Sequence, residues 1–150
     1  MEIRFTESTD LDGWMALVES VKDAFPGLET PEALTGHRNT VSEFIGRGEA
    51  ICAVENDRIV GALLFSRQES ELCFLAVSPE FRRRHIAESM VSLMLPEMES
   101  GRDVTVTTYR EGATEGIAAR AFYKSLGFRE GELIEEFGRS AHRFVLKRDL

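Results

Sequence analysis

The chain has 150 residues, of which 43% are hydrophobic and 29% are charged, as expected for a single soluble domain spanning residues 1–150 with its own core. No apolar run approaches the roughly 20 residues that span a bilayer, and the first residues lack the layout of a signal peptide, so we expect a cytoplasmic protein without a membrane partner. The formal net charge of −8 argues against a nucleic-acid partner, because phosphates would be repelled, and it suits a cationic partner better.

The N-terminal third predicts one strand and two helices. Ile3 and Phe5 alternate with polar residues, which favours a short strand. Apolar residues recur at helical spacing from Thr9 to about Ala24, and a second helix is predicted from Pro31 to about Ile45, with Thr30 as its cap.

The middle of the chain predicts an antiparallel meander. Three strand-like runs, at residues 50–55, 58–66 and 71–77, follow one another, and Asn56-Asp57 between the first two is a hairpin signal. The elements expected after them are a helix from about Arg83 to Glu99, a strand from Asp103 to Thr108, an Ala-rich helix, and two closing strands at residues 128–137 and 142–147.

The cysteines predict neither a disulfide nor a metal site. Cys52 and Cys73 both lie in apolar runs, where a free thiol acts as a small hydrophobe. The chain has no Cys-x-x-Cys pair and only three scattered histidines.

The segment from Leu75 to Met90 carries the most chemical information. It predicts an apolar strand, a turn that contains Pro79, and a helix whose first turn holds three consecutive arginines, Arg82 to Arg84. Cations beside the free N–H groups of a helix start cost about 0.3–1 kcal/mol each. A bound phosphate or diphosphate would turn these arginines into ligands, and the alternative is a solvated charged face.

The second informative segment runs from Ala118 to Phe128. Its alanines suit a short, closely packed helix, and Gly127 is a natural residue to end it. Taken by itself, Tyr123 near the end of this helix is either a half-buried packing residue or a functional hydroxyl.

The two segments together resemble the signatures of the GNAT family of N-acetyltransferases. The family's acetyl-CoA loop reads Arg/Gln-x-x-Gly-x-Gly/Ala at a helix start. Arg82 and Ala87 match its ends, whereas His85 replaces the middle glycine and Arg83 stands where a second glycine is frequent. The family's second signature is an Ala-rich helix that ends in Phe-Tyr-x-x-x-Gly-Phe, with Tyr123 on the tyrosine.

The resemblance implies a fold and a cosubstrate. The fold is a GNAT-like α/β arrangement, a mixed and mainly antiparallel sheet of six to seven strands flanked by about four helices. The cosubstrate is acetyl-CoA, whose pantetheine arm pairs with the main chain of Leu75, Ala76 and Val77. The other residues implied in cofactor binding are Arg82, Arg83, Arg84, His85, Ile86, Ala87, Glu88 and Phe122. Gly116 stands where the family often carries an Asn that contacts the cofactor, so that contact is expected to be absent.

The resemblance also implies two catalytic residues. Tyr123 corresponds to the tyrosine that protonates the departing CoA thiolate. Glu71, at the start of its strand, corresponds to the glutamate that takes the amine proton in the histone-acetyltransferase branch. Glu69 could act instead, and the alternative is that both are solvated carboxylates near Arg67.

Three functions therefore remain open. The first is an N-acetyltransferase that transfers an acetyl group from acetyl-CoA to a primary amine of a small molecule or an exposed amine, by direct attack in a ternary complex. The alternative is a non-catalytic acyl-CoA-binding or sensing module of the same fold. In a third, the arginines dock an acidic protein partner. The sequence leaves the oligomeric state open, with a homodimer among the choices.

Overall fold

The computed structural model describes residues 1–21, 28, 30–109, 117–136 and 139–148. The predicted order of strands and helices is confirmed in these residues. The elements are β1 (Glu2–Phe5), α1 (Leu11–Val21), α2 (Pro31–Gly46), β2 (Ala50–Glu55), β3 (Arg58–Ser66), β4 (Glu71–Val77), α3 (Ile86–Met94), β5 (Val104–Tyr109), α4 (Ile117–Ser125), β6 (Arg129–Glu136) and β7 (Arg139–Leu146). Among the described helices, none has the length and apolarity needed to cross a membrane.

The strands form one mixed sheet in the order β1-β2-β3-β4-β5-β7-β6. Every neighbouring pair is antiparallel except β4 and β5, which run parallel. Asn56 and Asp57 both have positive φ, 49° and 62°, the conformation that a two-residue hairpin turn requires. The predicted meander and the mainly antiparallel sheet are thus confirmed.

A separate core covers each face of the sheet. On the face that we call the α3 face, Met90 of α3 belongs to one core cluster with Leu72 of β4 and Phe144 of β7. On the opposite face, the α1 face, Trp14 of α1 packs in a second cluster with Leu64 of β3. Side chains alternate between the two faces along each strand, so the face of any strand residue follows from its neighbours.

The predicted helix from Arg83 to Glu99 is wrong at both ends. It begins only at Ile86, because Arg83 and His85 have φ values of 64° and 60°, which an α-helix cannot contain. It gives way to a 3₁₀ turn at Leu95–Glu97, because Pro96 lacks the N–H that a continuing helix needs. The last strand begins at Arg139, three residues before the predicted start.

The sheet opens between β4 and β5. These strands pair only where Glu71 lies opposite Thr105 and Leu72 lies opposite Val106, whereas β3 follows β4 as far as Val77. In the described part of the chain, the β5-facing edge of β4 therefore has no strand partner from Cys73 onward. This leaves main-chain N–H and C=O groups available to an extended ligand.

A bulge in β4 lies where the opening begins. Leu64 of β3 pairs with Phe74 and Phe65 pairs with Leu72, so Cys73 is the extra residue. The bulge reverses the alternation: Leu72 packs on the α3 face, and Phe74 two residues later packs on the α1 face. It also leaves Cys73 exposed, although the sequence favoured a buried thiol.

Candidate active site

A groove of about 310 Å³ lies between the end of β4, the start of α3 and the end of α4. β4, the 79–81 turn and α3 follow one another in the chain, so a short stretch of sequence builds most of its wall. The residues that line it are Val77, Phe81, Arg82, Arg83, His85, Ile86, Ala87, Glu88, Phe122 and Ser125.

The start of α3 presents free amides to this groove. The first helical hydrogen bond runs from the Ser89 N–H to the His85 carbonyl, so the N–H groups of Ile86, Ala87 and Glu88 lie before any intrahelical acceptor. The left-handed conformations of Arg83 and His85 bend the preceding loop. Loops of this kind turn successive N–H groups toward one point and form anion-binding concavities.

The arginines at this helix start differ in their surroundings. Arg82 and Arg83 line the groove. The Arg84 guanidinium lies 5.0 Å from the centre of the Phe81 ring and does not line the groove. Arg84 is thus held against an aromatic ring, an interaction that is favourable without any ligand.

A carboxylate also borders the groove. The Glu88 Oε2 lies 3.1 Å from the His85 Nδ1, and both side chains are exposed. The imidazole and the carboxylate therefore lie together at the mouth of a site that is otherwise cationic.

Eight of the residues predicted to bind the cofactor line one groove, namely Val77, Arg82, Arg83, His85, Ile86, Ala87, Glu88 and Phe122. The side chains of Leu75 and Ala76 pack toward opposite faces of the sheet. Only their main chain can therefore meet a ligand at the open edge of β4. Gly116 lies outside the described residues.

Phe81 and Ser125 also line the groove, although they were not predicted from the sequence. Phe81 precedes Arg82 directly, but a lone aromatic in a turn carries no signal of its own. Ser125 lies three residues after Phe122 on α4, and residues at this spacing share a helix face. This spacing from Phe122 could have identified Ser125 from the sequence.

Tyr123 is buried in the α3-face core, with 6% of its surface exposed. Its ring centre lies 5.5 Å from that of Phe122, 5.6 Å from that of Phe128 and 6.4 Å from that of Phe144. Burial raises the pKa of Tyr123 well above its usual value, because the ionised phenolate would lose its hydration. The hydroxyl therefore keeps its proton throughout the physiological range.

Glu71 is half-buried at the bottom of the opening between β4 and β5. Its Oε1 lies 3.6 Å from the Cys73 Sγ, so the two side chains lie on the same side of the sheet, the α1 face. The Cys73 residue is exposed, but its sulfur is largely removed from water and lies beside the Glu71 carboxylate. The loss of hydration and then the neighbouring negative charge raise the pKa of the Cys73 thiol to about 12. Cys73 is therefore a neutral thiol beside the candidate base.

A family comparison identifies the fold that holds this site. The acetyltransferase (GNAT) domain model matches residues 46–130, which is more than half of the chain. The chain belongs to the GNAT acetyltransferase family. The matched region contains the meander, the groove loop, α3 and the second signature.

Solved structures agree with this assignment. A GNAT-family acetyltransferase from Bacillus cereus superposes with a TM-score of 0.71 at 21% identity, covering 98% of this chain and 96% of its own. The ribosomal-protein-S18-alanine N-acetyltransferase from Escherichia coli gives 0.74 at 20% identity, over 99% and 94%. The PaiA N-acetyltransferase from Thermoplasma acidophilum, in complex with coenzyme A, gives 0.71 at 17% identity, over 97% and 98%.

No curated protein matches the chain. Identities this low establish a common fold without a common substrate. The family and the fold support acyl transfer in general, and one protein of this fold binds coenzyme A.

Proposed function

We propose that this protein is an N-acetyltransferase that transfers the acetyl group of acetyl-CoA to a primary amine by direct attack in a ternary complex. The observation that best supports the proposal is that the groove at the start of α3 continues into the open edge of β4. The groove at the start of α3 ends at Val77, the last residue of β4. The open edge of β4 leads from there to Glu71.

The groove suits the diphosphate of coenzyme A. Free N–H groups and a helix dipole stabilise anions at a helix start, and Arg82 and Arg83 add charge-assisted hydrogen bonds. Val77, Ile86 and Phe122 supply an apolar wall beside them. A site with this composition favours a ligand that joins a diphosphate to a less polar arm.

The open edge of β4 suits the pantetheine arm. Its amide groups can pair with the unpartnered main chain of residues 75–77 as an added strand would. The bulge at Cys73 marks the end of this path, where the thioester is expected and where the acceptor amine approaches from the α1 face.

The reaction needs a neutral amine and a protonated leaving group. The amine nitrogen forms a bond to the thioester carbonyl carbon, the carbon–sulfur bond breaks, and the nitrogen loses one proton. Glu71, directly or through water, takes that proton, and the Tyr123 hydroxyl gives one to the thiolate. Holding the two reactants together can supply on the order of 7–11 kcal/mol of the acceleration, so positioning carries most of the catalysis.

Calorimetry with coenzyme A, followed by thiol release from acetyl-CoA across a panel of amines, tests the proposal. We expect micromolar binding of coenzyme A that weakens with salt, and release of free thiol only when a suitable amine is present. No binding at millimolar coenzyme A would overturn the proposal in favour of docking to an acidic partner. Tight binding without transfer to any amine would leave a sensing module.

A further inference from the structure

Arg143 lies on the acceptor side of the sheet. It pairs with Thr107 of β5, and its neighbour Phe144 packs in the α3-face core. Because side chains alternate along a strand, Arg143 lies on the α1 face. Thr107 lies there too, since Val106 packs on the other side.

The guanidinium of Arg143 is unusual among the described arginines. Its Nε is buried and has no hydrogen-bond partner, and within the described residues Arg143 makes no ion pair. The missing ion pair is shared with other described arginines such as Arg82 and Arg83, so the buried Nε is what distinguishes Arg143. A buried guanidinium N–H without an acceptor costs free energy that a bound anion would recover.

Glu71 is the complementary charge across the opening. It also lies on the α1 face, and within the described part of the chain it has no ion pair with a cation. It pairs with Thr105, and Arg143 lies opposite Thr107, two residues further along the same strand. With strands about 4.8 Å apart and about 3.4 Å per residue, the two Cα atoms are on the order of 12 Å apart. In the described part of the chain the two side chains form no ion pair with each other, so a small molecule that carries both charges can bind between them.

We propose that Arg143 binds a carboxylate of the acceptor, so the acceptor is a small molecule that carries both a primary amine and a carboxylate. The inference rests on the proposed function. The amine approaches Glu71 and the thioester, and the fork of the guanidinium holds the carboxylate. The net charge of −8 favours a cationic partner, but the local charge at Arg143 favours an acceptor with charges of both signs.

The test compares acceptors with and without the carboxylate. L-alanine, L-lysine and 4-aminobutyrate are each paired with the corresponding amide, and kcat/KM is measured for the parent and for Arg143→Gln. We expect the variant to lose about 10- to 100-fold on the acids and less than threefold on the amides, because only the acids lose a charge-assisted contact. The parent-to-variant ratio is taken for each acceptor separately, so the amine basicity, which differs between an acid and its amide, cancels.

Two further variants keep the result interpretable. Arg129→Gln removes another arginine, exposed at the start of β6, and should leave every ratio unchanged. Arg143→Lys keeps the charge without the fork and should recover part of the activity on the acids. If Arg143→Gln does not fold, Arg143→Lys replaces it in the comparison of acids with amides.

The outcomes separate this inference from the proposed function. Equal losses on acids and amides, or none, would overturn the role of Arg143 while acetyl transfer to amines still stood. Failure of the parent to acetylate either series, although it acetylates another amine of the wider panel, would overturn this inference alone. Failure on every amine of that panel, although coenzyme A binds, would overturn both.

Discussion

His85 holds a backbone conformation that glycine adopts more readily. Its φ is 60°, and it stands where the family's loop carries a glycine. A non-glycine residue in this region costs roughly 1–2 kcal/mol. The loop therefore keeps the glycine-type conformation at the expense of strain, and its side chain faces the groove.

Replacing His85 with glycine should release that strain. We expect His85→Gly to keep or raise the free energy of unfolding by about 1 kcal/mol, because the relief of strain opposes the added entropy of the unfolded chain. It should also bind coenzyme A at least as tightly, because the Cβ no longer narrows the groove. Chemical denaturation and calorimetry measure the two quantities.

His85→Ala is the matched control, since it keeps the Cβ and the strain but removes the imidazole. If both variants lose affinity for coenzyme A to the same extent, the imidazole is itself a ligand and the Cβ does not narrow the groove.

Tyr123 keeps its proton in the folded chain, which is the form that a general acid needs. Burial holds the pKa of Tyr123 above its usual value, and Phe keeps the ring contacts while removing only the oxygen. Tyr123→Phe should therefore lower kcat by roughly 10²- to 10⁴-fold, with little change in coenzyme A affinity. A thiolate is already a fairly stable anion near neutral pH, which favours the low end of that range.

Steady-state kinetics and thermal unfolding together distinguish a catalytic role of Tyr123 from a packing role. Turnover within about threefold of the parent, with acetyl transfer as the slow step, would remove the hydroxyl from the mechanism. Tyr123 would then act only as a packing residue.

At the scale of the element, two arginines just before α3 lie in different surroundings. Arg82 lines the groove, whereas Arg84 stacks on Phe81. Arg82→Ala should weaken coenzyme A binding by about 1.5–3 kcal/mol, and Arg84→Ala should change the affinity by less than threefold. Calorimetry with coenzyme A and with dephospho-coenzyme A measures both. An equal loss on the two ligands places Arg82 at the diphosphate, and a loss on coenzyme A alone places it at the 3′-phosphate.

The reverse order of effects, with Arg84 the more damaging, would contradict this arrangement. It would mean that the guanidinium leaves Phe81 when the ligand binds.

The order of the elements could be predicted because each has a local signal. Asn56-Asp57 fixes the hairpin, and Thr30 and Pro31 fix the start of α2. The ends of α3 were missed for different reasons. Pro96 was a readable stop signal, whereas the left-handed conformations of Arg83 and His85 contradict the ordinary preference of those residues.

At the scale of the whole molecule, the site depends on pairings that no local pattern encodes. The groove residues lie close together in sequence, so most of them could be predicted. The opening between β4 and β5 depends on where a parallel pairing stops, and a β-bulge sets the orientation of Phe74. Arg143 reaches the α1 face beside the opening only because β7 lies next to β5, from which it is far in sequence.

Direct attack requires the opening to hold the thioester and the amine at the same time. Initial velocities of thiol release, measured over a grid of acetyl-CoA and amine concentrations, test this requirement. We expect double-reciprocal lines that intersect, because both substrates bind before transfer. Parallel lines would indicate a covalent acetyl-enzyme, with Cys73 as the first residue to examine, and would contradict direct attack.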